Sequence, residues 1–299
     1  MPQRRPAAAE DGAVDFTPGK TVVLLAVGLL AGVVGGMLGV GGSIVFIPAL
    51  GQLFPEVGYG VYAAAALVCN VFVGLGSVVG HWRQRRIIAQ VVKLILPLGA
   101  AAAVLGVLAA NALERLKLDK LLWAVFGAVI AYMLYDNMRR LFERRERAAM
   151  SADAELDPRK VNLLRAVPVA VPTGFLGGLL GIGGGVFSVP SQELFLHMPQ
   201  KNAIANSSTT IVVFSAIAAL VKNLTVVLPA GLSHWHPLLL AGVLVPPAVV
   251  GALIGSRLTH ALPDRLVRGL FAAFLAWTVY QCFFQKVNLP ELLRGWLGA

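Results

Sequence analysis

The chain has 299 residues, 57% of them hydrophobic and only 13% charged, with a mean hydropathy of +0.76. A water-soluble domain carries roughly a quarter charged residues, so this composition excludes a chain whose main solvent is water. The net charge of +10 does not mark a nucleic-acid partner either, because the basic residues sit in short loops between apolar runs, where they act as topology signals.

Residues 1–20 read as a polar N-terminal tail, with Arg4, Arg5, Glu10, Asp11 and Asp15 and no short apolar core ahead of a small-residue cleavage site. No removable signal peptide is expected. Apolar runs long enough for a bilayer, about 20 residues each, follow at Thr21 to Leu38, Tyr59 to Gly80, Val91 to Ala110 and Leu121 to Met138. After a basic interruption they resume at Leu163 to Leu180, Ala203 to Val221, Pro237 to Gly255 and Leu266 to Phe284. The sequence therefore predicts an all-α polytopic membrane protein with about eight transmembrane helices, four per half. Its segments are a first membrane repeat over 21–138, a cytoplasmic linker over 139–162, a second repeat over 163–286 and a C-terminal tail over 287–299. Cys69 and Cys282 fall inside apolar runs and are read as buried, inert thiols.

The halves are homologous. GGMLGVGGSIVFIP at Gly35 to Pro48 returns 142 residues later as GGLLGIGGGVFSVP at Gly177 to Pro190, without a gap. Helix-breaking glycines and a proline at corresponding points of two hydrophobic halves are a sequence pointer to a substrate site in a secondary transporter.

The positive-inside rule places the linker, and the His81-Trp82-Arg83-Gln84-Arg85-Arg86 loop, in the cytoplasm. It leaves the glycine block open. If each block is a simple loop after a span, the halves are parallel repeats. If the chain turns at Gly39 to Gly42 and comes back on the same side, each half crosses an odd number of times and the repeats are inverted. Both arrangements put most Lys and Arg inside. Ser43 to Leu53 is half the length of a span, which favours inverted repeats with glycine-broken helices.

A helix broken in hydrocarbon leaves backbone groups unpaired at several kcal/mol each, so protein, water or substrate must satisfy them. Gly39, Gly41, Gly42 and Ser43, with Gly181, Gly183, Gly184 and Gly185, are the candidate site: each set opens a short helix whose N–H groups and positive dipole end face the break. Pro48 and Pro190 would shape the short helices. Asn70 in the first half, and Asn206, Ser207 and Ser208 in the second, open the next span and need polar partners; they complete the predicted pocket, unless Asn206 and Ser207 are only helix caps. Gly28, Gly32 and Gly74 read instead as small residues that let helices pack closely.

Glu193 lies in the apolar stretch SVPSQELFLHM, and an ionisable group at membrane depth is a functional candidate by default. It is the coupling candidate, set against a plain interfacial acid. Lys222, at the end of the sixth run, is read as a snorkelling lysine, with neutralisation of Glu193 or attraction of anions as the alternatives. The chain contains no HExxH, CxxC, P-loop or GxSxG pattern, and its five histidines sit at loops and span ends. Neither enzymatic activity, nor a cofactor, nor a metal is expected.

The paired GGxLGxGGxxxxxP blocks, the basic loop at His81 to Arg86, and Gly251 to Leu258 followed by Leu262 to Arg268 resemble the TauE/SafE sulfite exporter family, also called the toluene sulfonate uptake permeases. The likeness runs from about Lys20 to Lys286. It implies a carrier in the inner or plasma membrane for sulfite, sulfonates or other small sulfur-containing anions. The family's usual Gly-Thr-Ser-Leu after the block is Val68-Cys69-Asn70-Val71 in one half and Asn206-Ser207-Ser208-Thr209 in the other, which implies a different preferred anion where those positions touch substrate. The function expected is alternating-access transport of a small oxyanion at a midplane site between the two blocks. A carboxylate carrier and a non-transporting membrane subunit are the rivals. An anion costs about 2.3 kcal/mol per 100 mV to bring into a negative interior, so uptake would need a proton or sodium ion. The bilayer and the anion are the expected partners, with homo-oligomerisation left open.

Overall fold

The computed structural model describes residues 16–142, 163–228, 232–261 and 264–287. The predicted tails lie outside these residues, except Phe16 to Lys20 and Val287, as does the linker beyond Phe142. Every regular element among the described residues is helical. In chain order they are α1 (Pro18–Leu38), α2 (Ser43–Leu53), α3 (Tyr59–Arg83), α4 (Ala89–Arg115), α5 (Asp119–Phe142), α6 (Leu163–Leu180), α7 (Gly185–Leu196), α8 (Gln200–Thr225), α9 (Trp235–Ala261) and α10 (Asp264–Tyr280). A π-helical turn, Gln281–Lys286, continues α10.

Seven of these helices are long and apolar enough to cross a membrane. They coincide with seven of the eight predicted runs. The eighth is α10, 17 residues long, which reaches roughly 30 Å of helix only with the π turn added. Leu30, Leu105, Leu164 and Leu220 project outward, as expected where lipid replaces water as the solvent.

Local chemistry sets the ends of α1. Thr17 Oγ1 accepts from the Lys20 N–H at 3.5 Å, Pro18 occupies the first turn, and Gly39 closes the helix in the left-handed region with φ of 66°. The chain then doubles back. Phe54, just past α2, packs its ring 6.1 Å from Phe16 and lies beneath the Lys20 ammonium at 4.7 Å. α1 and α2 thus form a hairpin whose tip is Gly39–Gly42 and whose two ends share one end of the bundle. α6 and α7 form a second hairpin with its tip at Gly181–Gly184. There Val189, Leu196 and Met198 pack in one cluster with Ala166, Val169 and Ala170.

Two glycine seams hold these hairpins. Along α1, a Cβ added to Gly28, Gly32 or Gly36 would come within 3.0 Å of α9 backbone at Leu244, Ala248 or Ala252. Along α6, Gly174 and Gly178 abut Gly99 and Ala103 of α4 in the same way. With no hydrophobic gradient between lipid and Leu, such close backbone approach supplies the van der Waals energy of helix association. Gly28 and Gly32 are therefore packing residues, as the sequence suggests, and so is Gly74, which meets Val212. Each seam pairs the first helix of a hairpin with a long helix from the other half of the chain.

Candidate functional site at the paired helix breaks

The two hairpin tips meet in the centre of the bundle. A Cβ on Gly185 would lie 2.6 Å from Val40 Cα, so the breaks touch directly. Among the described residues, five of the six positive-φ glycines belong to them: Gly39, Gly41, Gly181, Gly183 and Gly184. A side-chain-bearing residue in that region costs roughly 1–2 kcal/mol, which is why both blocks are glycine at these points. Each tip also packs on the opening turns of a helix from the other half, Gly39 on Ile204 and Gly181 on Ala63.

The first break finds hydrogen-bond partners within the protein. Asn70 of α3 accepts from the Gly42 N–H with Oδ1 at 2.9 Å and donates from Nδ2 to Ser43 Oγ at 2.5 Å. Ser43 Oγ in turn donates to Ala66 O at 3.5 Å. On the carbonyl side, Ser207 Oγ donates to Gly39 O at 2.8 Å, while Ser77 Oγ donates to Gly36 O at 3.2 Å and lies 3.1 Å from Ser208 Oγ. The carboxamide of Asn70 occupies the N-terminus of α2 as a built-in acceptor.

The second break is less complete. Ile182 and Gly183 N–H both donate to Gly177 O, at 3.0 and 3.2 Å. Beyond them, Gly184 and Gly185 open α7 beside Thr173, whose carbonyl would lie 2.5 Å from a Cβ on Gly184. Ser215 Oγ crowds the Cβ position of Gly183, and Asn70 Nδ2 is 2.9 Å from the same point. The hydroxyls of Thr173 and Ser215 are buried and have no hydrogen-bond partner among the described residues. A buried hydroxyl without a partner costs about 1–3 kcal/mol. Two of them lie beside the N-terminus of α7, a cluster of hydrogen-bond donors.

Other predicted residues stand apart. Asn206 Oδ1 accepts from the Ile88 N–H at 2.8 Å and so caps α4. Pro48 and Pro190 lie inside α2 and α7 rather than at their ends, where each removes one backbone donor. Glu193 is partly buried in the last turn of α7. Lys222 does not snorkel: it is 1% exposed, and its Nζ lies 2.7 Å from Oε1 of Glu114. That acid was not among the sequence candidates. Thr173 and Ser215 were missed as well, because a Ser or Thr in a helix normally bonds back to its own backbone and only the folded geometry reveals that these two do not.

The model of the family described as "Sulfite exporter TauE/SafE" matches residues 24–281. The chain belongs to this family. Curated relatives agree on the class. A probable membrane transporter protein MamO from Paramagnetospirillum magneticum is 31% identical over 85% of this chain and 43% of its own length. Probable membrane transporter protein YunE from Bacillus subtilis is 26% identical over 82% of the chain and 91% of its own length. Probable membrane transporter protein MJ0441 from Methanocaldococcus jannaschii is 23% identical over 85% and 91%. The chain spans about two fifths of the MamO proteins and nearly all of the other two. No solved structure matches it. This TauE/SafE protein is accordingly a multi-pass membrane protein of a transporter family, and both glycine blocks lie within the matched region.

Proposed function

We propose that the protein is a secondary transporter of small sulfur-containing oxyanions, sulfite or an organosulfonate, bound at the second break. One observation carries this: beside the N-terminus of α7, the buried hydroxyls of Thr173 and Ser215 lack acceptors, while the matching position at α2 already holds the Asn70 carboxamide. An oxyanion supplies what the second site lacks, since helix N-termini and hydroxyls both donate to negative oxygen. The site is thus asymmetric, with Gly183, Gly184, Gly185, Thr173, Ser215 and Asn70 around the ligand. Gly39, Gly41, Gly42, Ser43, Ser207 and Ser208 hold the opposing tip rigid.

The two halves are inverted repeats in this reading. Support comes from the hairpins, which leave three through-helices in each half, and from the crossed contacts of Gly39 with Ile204 and Gly181 with Ala63. With the basic turn at Arg83–Arg86 in the cytoplasm, the ends of the α1–α2 hairpin face outside and those of α6–α7 face inside. Movement of helices about the two seams then exposes the shared centre alternately.

Calorimetric titration of the purified protein in lipid nanodiscs with sulfite, methanesulfonate and acetate tests the reading. The sulfur oxyanions should bind and acetate should bind more weakly. Ser215→Ala and Thr173→Val should each weaken sulfite binding about tenfold, the worth of one charge-assisted hydrogen bond of ~1.5 kcal/mol. Tighter binding of acetate identifies a carboxylate carrier, and binding of none of the three points to a non-transporting subunit.

A further inference from the structure

One buried charge pair lies outside the two breaks. Lys222 of α8 donates to Glu114 Oε1 at 2.7 Å and to Asn111 Oδ1 at 2.6 Å, both on α4. Asn111 Nδ2 donates onward to Thr225 Oγ1 at 2.6 Å. The side chains of Lys222 and Glu114 are 1% and 4% exposed. Among the described residues Lys222 is the one buried lysine or arginine. The other oxygen of Glu114, Oε2, is buried without a hydrogen-bond partner among those residues. It packs on Gly60, where any Cβ would collide with the carboxylate.

One side chain links the pair to the second break. Next to Gly60, Tyr59 donates its hydroxyl to Leu180 O at 2.8 Å, one residue before Gly181. The pair also joins α4 of the first half to α8 of the second.

Stability does not explain these charges. Apolar residues of similar volume often hold a buried site equally well or better, whereas removal of one partner leaves a costly lone charge. Ionisable groups inside membrane proteins mark substrate or proton pathways. An anion carrier needs a compensating cation, and here Glu114 neutralises it.

We propose that Glu114 and Lys222 are the coupling pair of the carrier: a proton binding to Glu114 Oε2 releases Lys222, whose ammonium then balances the charge of the incoming anion. The inference rests on the oxyanion reading above. The charge ledger closes. Lysine plus carboxylate is neutral before binding, and lysine, carboxylic acid and a monoanion together are neutral after it. Proton and monoanion therefore travel as a neutral pair, and the membrane potential does no work on them. The groups that face the pair are Asn111 on α4, Tyr59 on α3, Asp119 at the start of α5, Thr225 on α8 and the backbone N–H of Val227 just past α8. Glu193, the coupling candidate from sequence, has no part in this pair.

Methanesulfonate is the suitable probe because its own charge is constant across the accessible pH range. Its binding to the protein in nanodiscs is measured calorimetrically in two buffers of different ionisation enthalpy, which counts the protons taken up. Wild type should take up about one proton per anion and bind more weakly as pH rises. Glu114→Gln should bind with no proton uptake and with a flat pH profile, since the amide keeps the contact to Lys222 without a titrating group. Lys222→Met should lose at least about tenfold in affinity. Should that variant aggregate because Glu114 is left alone, Glu114→Gln/Lys222→Met removes both charges and replaces it. Binding by wild type without proton uptake, or proton uptake that persists in Glu114→Gln, overturns the coupling pair and leaves the oxyanion site standing. Failure of wild type to bind either methanesulfonate or sulfite overturns the oxyanion site itself, and the coupling with it.

Discussion

Asn70 does more at the centre of this protein than its place in an apolar helix suggests. It closes the first break with an acceptor for Gly42 and a donor for Ser43, and its amide also borders Gly183 of the second. Asn70→Ala leaves the buried Gly42 N–H unpaired at about 1–3 kcal/mol. The melting temperature, followed by tryptophan fluorescence in detergent, should fall by several degrees, at roughly 2–4 °C per kcal/mol for chains somewhat shorter than this one. Unchanged melting would show that water or lipid replaces the carboxamide. The glycines obey a different limit. Gly183, with φ of 67°, Ser215 Oγ crowding its Cβ position and Asn70 Nδ2 2.9 Å from the same point, has no room even for alanine without distortion of the fold.

At the level of elements, the glycine seams carry the hairpins. Gly32→Leu drives a branched side chain into the α9 backbone at Ala248, and overpacking of that kind costs about 1–3 kcal/mol or more. The variant should lose its monodisperse peak in size-exclusion chromatography, while Gly19→Leu, whose Cβ position is open, should keep it. Helix identity was legible because an apolar run of about 20 residues has few other fates. The hairpins were legible in part, through the half-length of Ser43 to Leu53. Hydropathy does not reveal which helices meet, so neither the crossed pairing of α1 with α9 and α4 with α6 nor the meeting of Glu114 with Lys222 could be read. Those two residues are 108 positions apart, each near the end of an apolar run, where a charge commonly reaches water.

For the whole molecule, the hairpins fix which loops share a face. Single cysteines at Gly19 and Glu56 should react with an impermeant maleimide from outside intact cells, and a cysteine at Arg85 only after the membrane is opened. Labelling of Gly19 and Glu56 on opposite faces would replace the α1–α2 hairpin with a through-helix and make the halves parallel. The seams also bear on how the chain is made. The stripe on α1 waits for Ala248, which leaves the ribosome 216 residues after Gly32. Throughout that interval the nascent first half holds an unmatched groove in the bilayer, with α4 likewise waiting for α6. A message that stops at the linker therefore leaves two surfaces without their partner helices. Synthesis of the second half is what ends that exposure, so the α1 surface is matched late, when α9 inserts.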